Sequence, residues 1–445
     1  MLDLAAGIPA LHAAYAAGIP PQEMIAAVFG RIDDVGDPGI FIHLADRTAL
    51  MDEVRALGDF DPARPLWGVP FAVKDNIDVA GMPTTAACRA YEYRPECDAF
   101  VVARLKAAGA IVIGKTNLDQ FATGLVGVRT PYPAPKNAID PALVPGGSSS
   151  GSAVAVAHGI VSFSLGTDTA GSGRVPAALN DLVGLKPSVG ALSATGMIPA
   201  CRTLDCMSVF ARNVADAWTV FAHAAVHDPQ DAYSRTFAFA APEGLKQELR
   251  IGVPPRDQRR FFGDAAQAAA YQTTLDTLAA RGAEIVNIDF AAFHETADLL
   301  YEGAWVAERY AALREIMETR PEILHPVTRR IVSAAEGLSA ADAFEGLYRL
   351  KALERITHAN MAGVDCLCVP TIPRFVTVAE IEADPITPNS QLGTYTNFVN
   401  LLDLAALAVP VAPRSDGLPG NVTLIGEAGS DGFLAGIAAS IERGR

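Results

Sequence analysis

From Trp67 onward, short β-branched runs alternate with alanine-rich stretches, and this rhythm constrains the fold more than any other feature of the chain. Val69-Pro70-Phe71-Ala72-Val73 and Ala110-Ile111-Val112-Ile113-Gly114 read as strands. Between them, Ala99 to Ala108 reads as a helix ended by Gly109 at the C′ position. Strand–helix–strand order predicts an α/β fold whose sheet is largely buried. Residues 1 to about 60 read as helical, with a helix starting after Pro20-Pro21, and are expected to pack on a core spanning 61–445. A more polar connection runs from about 225 to 250. Arg250-Ile-Gly-Val-Pro then reopens the sheet pattern, helices continue to about 360, and Cys366-Leu-Cys-Val-Pro reads as a further strand.

Half of the 445 residues are apolar, and 19% are charged, which is ordinary globular usage. A chain of this length buries roughly three quarters of its unfolded surface, enough to keep a charged group away from water. The net charge of −15, with no Lys/Arg-rich block, excludes nucleic acid and anionic membrane as expected partners. An anionic substrate would need a local positive group. Six cysteines are too few for a disulfide scaffold and read as buried thiols of a reducing compartment; Cys366 and Cys368 are expected on opposite faces of their strand. The N-terminus lacks a basic region and carries Asp3 and His12, so it reads as a helix and not a signal peptide. No run approaches the ~20 apolar residues of a membrane span. A cytoplasmic location is expected.

Three segments carry chemistry. In Gly68-Val-Pro-Phe-Ala-Val-Lys74-Asp-Asn-Ile-Asp78, a lysine ends an apolar strand, where its ammonium needs a task or a partner. The others are Pro145-Gly-Gly-Ser148-Ser-Ser-Gly-Ser152 and Gly166-Thr-Asp168-Thr-Ala-Gly-Ser172-Gly-Arg174. Glycine lets such backbone bend tightly and approach a substrate, and successive free N–H groups form an anion-binding concavity of the kind a tetrahedral oxyanion requires. The bland readings are a Lys74–Asp75 surface ion pair and a flexible linker over 145–200. Ile160-Val-Ser-Phe-Ser-Leu165, a buried-strand run, speaks against the linker.

These segments resemble the amidase signature family, from about residue 61 to the C-terminus. The resemblance implies a large mixed β-sheet with helices on both faces and no cofactor or metal. It makes Ser172 the nucleophile, Ser148 the relay, in a Ser–cisSer–Lys set, and Lys74 the final base. The N–H groups of Thr169, Ala170, Gly171 and Ser172 would hold the oxyanion. Asp168 and Arg174 would pair to stiffen the nucleophile loop; Arg174 as an anion clamp is the lesser alternative. Many family members have a second glycine where this chain has Ala170, a change that keeps the donor N–H. A lysine titrates near ~10.4, so a neutral Lys74 at pH 7 costs about 4–5 kcal/mol, which burial can supply.

Within that family, Asp119-Gln-Phe-Ala-Thr-Gly124-Leu-Val-Gly127, Asp168 to Ala177, Pro199-Ala-Cys-Arg-Thr-Leu-Asp-Cys206 and Gly393 to Asp403 are similar to the allophanate hydrolases. That likeness implies a small carboxylated urea as substrate. Tyr301 and Arg309, eight residues apart at the ends of the helical Glu302–Glu308 pattern, share a helix side. By resemblance Arg309 would fork onto the carboxylate, Tyr301 would bond the urea group, and Gly124 would line the pocket. The implied reaction releases ammonia and N-carboxycarbamate. The sequence stops at Arg445, so the C-terminal decarboxylating domain of longer relatives is expected either to be absent, with a partner supplying its activity, or to have been cut away from a longer protein. A homodimer is expected. Alternatives are a carboxybiuret-type urea, another small amide, or a glutamine amidotransferase subunit.

Two rival chemistries are open to test. Gly147-Ser-Ser149-Ser-Gly151 matches the GxSxG nucleophile elbow, which would need His294, His325 or His358. His223 and His227 have helical metal-ligand spacing, but without a His-Glu-x-x-His arrangement they read as ordinary histidines.

Overall fold

Pro70–Lys74, the run that ends on the unusual lysine, is buried along its whole length within a sheet of eleven strands. The structure, a computed structural model, describes residues 2–244, 246, 248–302 and 304–442. In chain order the strands are β1 (Phe41–Leu44), β2 (Pro70–Lys74), β3 (Ile111–Thr116), β4 (Phe163–Asp168), β5 (Val183–Lys186) and β6 (Cys206–Ala211). β7 (Arg250–Val253), β8 (Glu284–Asn287), β9 (Cys366–Pro370), β10 (Leu404–Val411) and β11 (Gly420–Glu427) follow. Their order across the sheet is β1-β3-β2-β4-β6-β5-β10-β11-β9-β7-β8. β2 runs parallel to β3 and β4, and β7 parallel to β8 and β9; the other neighbours are antiparallel. The sheet is therefore mixed, within an α/β architecture.

Helices cover both faces. On one, helix Ser150–Ala157 and helix Asp431–Glu442 contribute Val154, Val156, Leu434 and Ile437 to a large apolar cluster. On the other, Phe293 and Leu300 of helix Ala291–Glu302 and Trp305 of helix Ala304–Thr319 join Phe398 in a second. β9 divides between them: Cys366 and Cys368 enter the first cluster, Leu367 and Val369 the second. The two cysteines thus share a face, correcting the expectation, because the side-chain period of a strand is two. All six cysteines are free thiols.

The N-terminal segment forms helices Ile8–Ala16, Gln22–Val35 and Arg47–Ala56, the second opening directly after Pro20-Pro21. Residues 41–44 are not helical. They form β1, antiparallel to β3 at the sheet edge. Leu4, Ile8, Leu11, Met24 and Val28 share the apolar cluster of β2 and β4, so this segment is part of the same core. Helix Phe100–Ala107 ends before Gly109, whose φ of 102° only glycine adopts readily. The glycine- and serine-rich stretch is folded, alternating helix Ser150–Ala157, β4, helix Val175–Leu179 and β5. Among the described residues no helix is long and apolar enough to cross a membrane.

Candidate active site

Lys74 stands at the end of β2, beside the parallel β4, and it is fully buried. Its Nζ donates to Ser148 Oγ at 2.7 Å and to Thr167 Oγ1 at 2.7 Å. Ser148 Oγ in turn donates to Ser172 Oγ at 3.0 Å. The serines lie 24 positions apart in the chain. They meet because the intervening residues leave the site as helix Ser150–Ala157 and return as β4. The Gly147–Ser148 peptide is cis, in agreement with the resemblance. The alternative Lys74–Asp75 surface pair is overturned: Asp75 is buried and pairs with Lys115 at 3.2 Å.

Burial dominates the charge state of Lys74 and brings its pKa down to about 7, against the opposing pull of Asp119, Asp205 and Asp168. Each carboxylate is itself occupied. Asp119 accepts from the N–H groups of Val126, Gly127 and Arg129. Asp168 forms a bidentate pair with Arg174, with both contacts at 2.9 Å. Burial would raise the Asp168 pKa, but Arg174 overrides it and holds the carboxyl below its ordinary value. Asp205 accepts from Thr169 Oγ1, Ala200 N and Cys201 N, and burial pushes it up to about 6.

The Thr169–Gly173 segment is shaped by close packing. Gly171 has φ 141°, and a Cβ there would lie 2.7 Å from Thr396 Cβ. Ala170 is not in the left-handed region, so its backbone accepts a methyl group without strain. Among the described residues no backbone carbonyl accepts from the N–H of Ala170, Gly171 or Ser172, which leaves these donors for an oxyanion. The Thr169 side chain is tied to Asp205 instead.

Tyr301 and Arg309 are brought together, with the guanidinium carbon 5.2 Å from the ring centroid. Their helices are Ala291–Glu302 and Ala304–Thr319; Gly303, inside the Glu302–Glu308 pattern, lies outside the described residues. Arg309 is buried, and its Nε and Nη1 have no hydrogen-bond partner. Gly124, with φ 157°, sits against Asp119 and Arg129; a Cβ there would come within 2.6 Å of Asp119 Oδ2 and 3.1 Å of Arg129 Nη1. Arg174 is not free to clamp a ligand, being engaged by Asp168, the Thr396 carbonyl and Asn400.

The histidine rival fails on geometry. His294 bonds the Gln258 carbonyl, His325 caps its own helix through Val327 N, and His358 faces Glu427. Ser149 donates to the Thr167 carbonyl. The sequence reading missed Thr167, Asp119, Asp205 and Arg129. Thr167, Asp119 and Asp205 lay inside segments already singled out, and their polar type in apolar surroundings was the available signal.

The amidase family model matches residues 23–434. The urea amidolyase of Lachancea kluyveri is 49% identical over 377 residues, covering 84% of this chain and 20% of that protein, so the chain spans about a fifth of the length of this relative. A glutamyl-tRNA(Gln) amidotransferase component of Nitratidesulfovibrio vulgaris is 34% identical, covering 90% of this chain and 88% of that one. The solved structure of Kluyveromyces lactis allophanate hydrolase superposes with a TM-score of 0.91 at 44% identity, covering 96% of this chain and 71% of that one. With the mixed sheet and the buried lysine–serine–serine chain already in place, these matches show that the chain belongs to the amidase family.

Proposed function

We propose that this chain hydrolyses the terminal C–N bond of allophanate, with Ser172 as nucleophile, Ser148 as relay and Lys74 as base. The observation that carries the reading is the unbroken Lys74–Ser148–Ser172 hydrogen-bond chain, buried throughout. With Lys74 charged, donation runs outward from Nζ. Loss of one proton from Nζ lets the chain reverse, so that Ser172 donates to Ser148 and Ser148 to the amine. Ser172 Oγ then bonds to the carbonyl carbon while its proton passes through Ser148 to Lys74. N–H groups of the Thr169–Ser172 segment meet the oxyanion. Collapse breaks the terminal C–N bond, and the proton returns through Ser148 to the leaving nitrogen, which departs as ammonia. Water opens the acyl-enzyme by the same relay and releases N-carboxycarbamate. This takes up a proton and loses CO₂ to give carbamate, and carbamate takes up a proton and breaks down to ammonia and CO₂, so the sum is two ammonia and two CO₂.

Arg309 receives the substrate carboxylate, Tyr301 bonds the urea group, and Gly124 lines the pocket; Asp168 and Arg174 stiffen the loop from behind. The unpartnered N–H groups of Arg309 support an anionic substrate, as do the names of the urea amidolyase and allophanate hydrolase relatives. A cytoplasmic homodimer acting in urea breakdown, with decarboxylation supplied by another domain or chain, completes the reading.

Ammonia release from allophanate, carboxybiuret, glutamine and a simple aliphatic amide, measured side by side, tests it. Allophanate is expected to lead. Preference for glutamine would favour a role in amidotransfer instead, a reading that the 34% identity to the amidotransferase component keeps in view. Arg309→Ala is expected to raise KM for allophanate far more than for a neutral amide, and equal effects would remove Arg309 from the carboxylate role.

A further inference from the structure

Among the described residues four arginines are buried: Arg129, Arg174, Arg309 and Arg414. Two are neutralised where they stand. Arg174 forks onto Asp168, and Arg414 pairs with Asp264 and Asp416. Arg129 and Arg309 have no carboxylate partner among the described residues. Arg129 spends Nη1 on the Thr123 carbonyl at 3.1 Å and Nη2 on the Pro385 carbonyl at 2.7 Å, and its Nε is buried without a partner. Arg309 leaves Nε and Nη1 in the same state. The two residues are also neighbours in the electrostatic sense: burial acts most strongly on Arg129, Asp119 and then Tyr301 favour its charge, and Arg309 repels it.

A buried cation without a directly paired carboxylate is costly, and a second one nearby adds repulsion. A buried donor without an acceptor adds its own desolvation penalty. Asp119 pulls on Arg129 through space, and Asp205 and Glu308 pull on Arg309, but none of them hydrogen-bonds the guanidinium it acts on; the Asp119 oxygens accept from three backbone N–H groups. An arrangement of this kind is stabilised by an anion that enters with the ligand. Carboxylate is the fitting class: two oxygens with in-plane lone pairs match guanidinium N–H donors.

We propose that Arg129 and Arg309 together form a two-guanidinium receptor for the substrate carboxylate, with Arg129 as a specificity-determining residue. Its Nη1 lies against Gly124, so the same side chain that adds positive charge also sets the wall of the pocket. The inference rests on the carboxylated-urea reading above and extends it to a residue outside the sequence motifs. It also gives a reason why a chain of net charge −15 can accept an anion at this one place.

The test compares allophanate, as substrate, with biuret, its uncharged amide counterpart, as substrate or competitive inhibitor. Arg129→Gln keeps amide donors for the Thr123 or Pro385 carbonyl but loses the charge. It is expected to raise KM for allophanate about tenfold or more, the factor that loss of one hydrogen bond to a charged group implies. Biuret binding should change less than threefold. Arg129→Lys restores charge without the fork and should recover part of the allophanate loss; it decides the matter if the glutamine variant folds poorly. Equal losses for both ligands, or no loss for either, would overturn the proposal and leave Arg129 a structural tie. Arg309→Gln runs beside them as the reference. If it discriminates by charge and Arg129→Gln does not, only this inference falls; if neither discriminates, the carboxylate reading of the whole site falls with it.

Discussion

Thr167 Oγ1 takes the second hydrogen bond of Lys74 Nζ at 2.7 Å, the same length as the bond to Ser148. Two hydroxyls thus hold a buried amine: Ser148 donates onward to Ser172, and Thr167 Oγ1 donates to no further group among the described residues. The second fixes the direction of the first.

Thr167→Val removes that acceptor while keeping the shape of the side chain. The lost bond favoured the charged amine, so the lysine should titrate at lower pH than in the parent. The amine also gains freedom to turn from Ser148, and kcat is expected to fall about tenfold. A pH–rate profile measures both, and a variant with unchanged profile and kcat would make Thr167 a bystander.

Lys74 acts only when neutral, so activity should rise with pH as the amine loses its proton. The limb is expected half-complete near pH 7, where burial has brought the group. The ordinary lysine value would put that limb near pH ~10.4 instead. Measured kcat/KM against pH separates the two cases directly.

Asp205 ties the 169–172 segment, through Thr169, to the Ala200–Cys201 turn and lies in the field of Lys74 and Arg309. Asp119 and Asp168 are the other carboxylates that raise the Lys74 pKa, and burial opposes all three. Asp205→Asn removes one negative charge near the amine, which lowers the Lys74 pKa and moves the acid limb to lower pH. The maximal rate should nevertheless drop, because the Thr169 anchor weakens. A purely structural loss would reduce the rate without moving the limb.

How far the sequence discloses this site depends on distance along the chain. The segments around Lys74, Ser148 and Ser172 were legible because serine-rich glycine loops and a lysine ending an apolar strand are local oddities; which serine takes which part comes from the family resemblance. Tyr301 and Arg309 were legible only through the family resemblance; helical spacing alone favours a packed tyrosine and a solvated arginine, and the structure brings them together from two successive helices. Arg129 was not, since its partners are the carbonyls of Thr123 and Pro385, the latter 256 residues away. A side chain held by backbone carbonyls leaves no pattern in residue types. β1 was missed for a different reason: four residues between helices, half-buried at a sheet edge, give too short a run to show a period.

The Asp168–Arg174 pair should govern stability more than chemistry. Asp168→Ala strands a buried guanidinium, and breaking a buried pair in this way costs about 3–5 kcal/mol. Arg174→Met in the same chain should return part of that loss, which a double-mutant comparison of urea unfolding midpoints would reveal. The folded-state pKa of Asp168 is depressed, so its contribution is present at neutral pH and is lost as pH falls below the usual aspartate value and through the lowered one. Independent, additive losses from the two substitutions would mean that the pair is not the unit that matters.

Ala170 and Gly171 are adjacent, yet they should tolerate change in opposite ways. Ala170→Gly removes a methyl from a backbone that already sits in an ordinary region, and the donor N–H stays, so activity should change little. Gly171→Ala places a Cβ on a backbone at φ 141° and 2.7 Å from Thr396 Cβ, with Thr396 Oγ1 also in its path. Left-handed backbone costs an alanine roughly 1–2 kcal/mol, and overpacking typically adds about 1–3 kcal/mol. Relief must come from moving either Thr396 or the 170–172 backbone. Thr396 sits in the turn whose carbonyl also binds Arg174, so it is poorly placed to yield. The backbone therefore shifts, carrying the N–H donors away from the oxyanion, and kcat is expected to fall by a factor of about a hundred or more, the order of a lost oxyanion donor, with KM much less affected. Single-turnover ammonia release from the two variants is the measurement, and a Gly171→Ala enzyme as fast as Ala170→Gly would show that the segment does not hold the oxyanion.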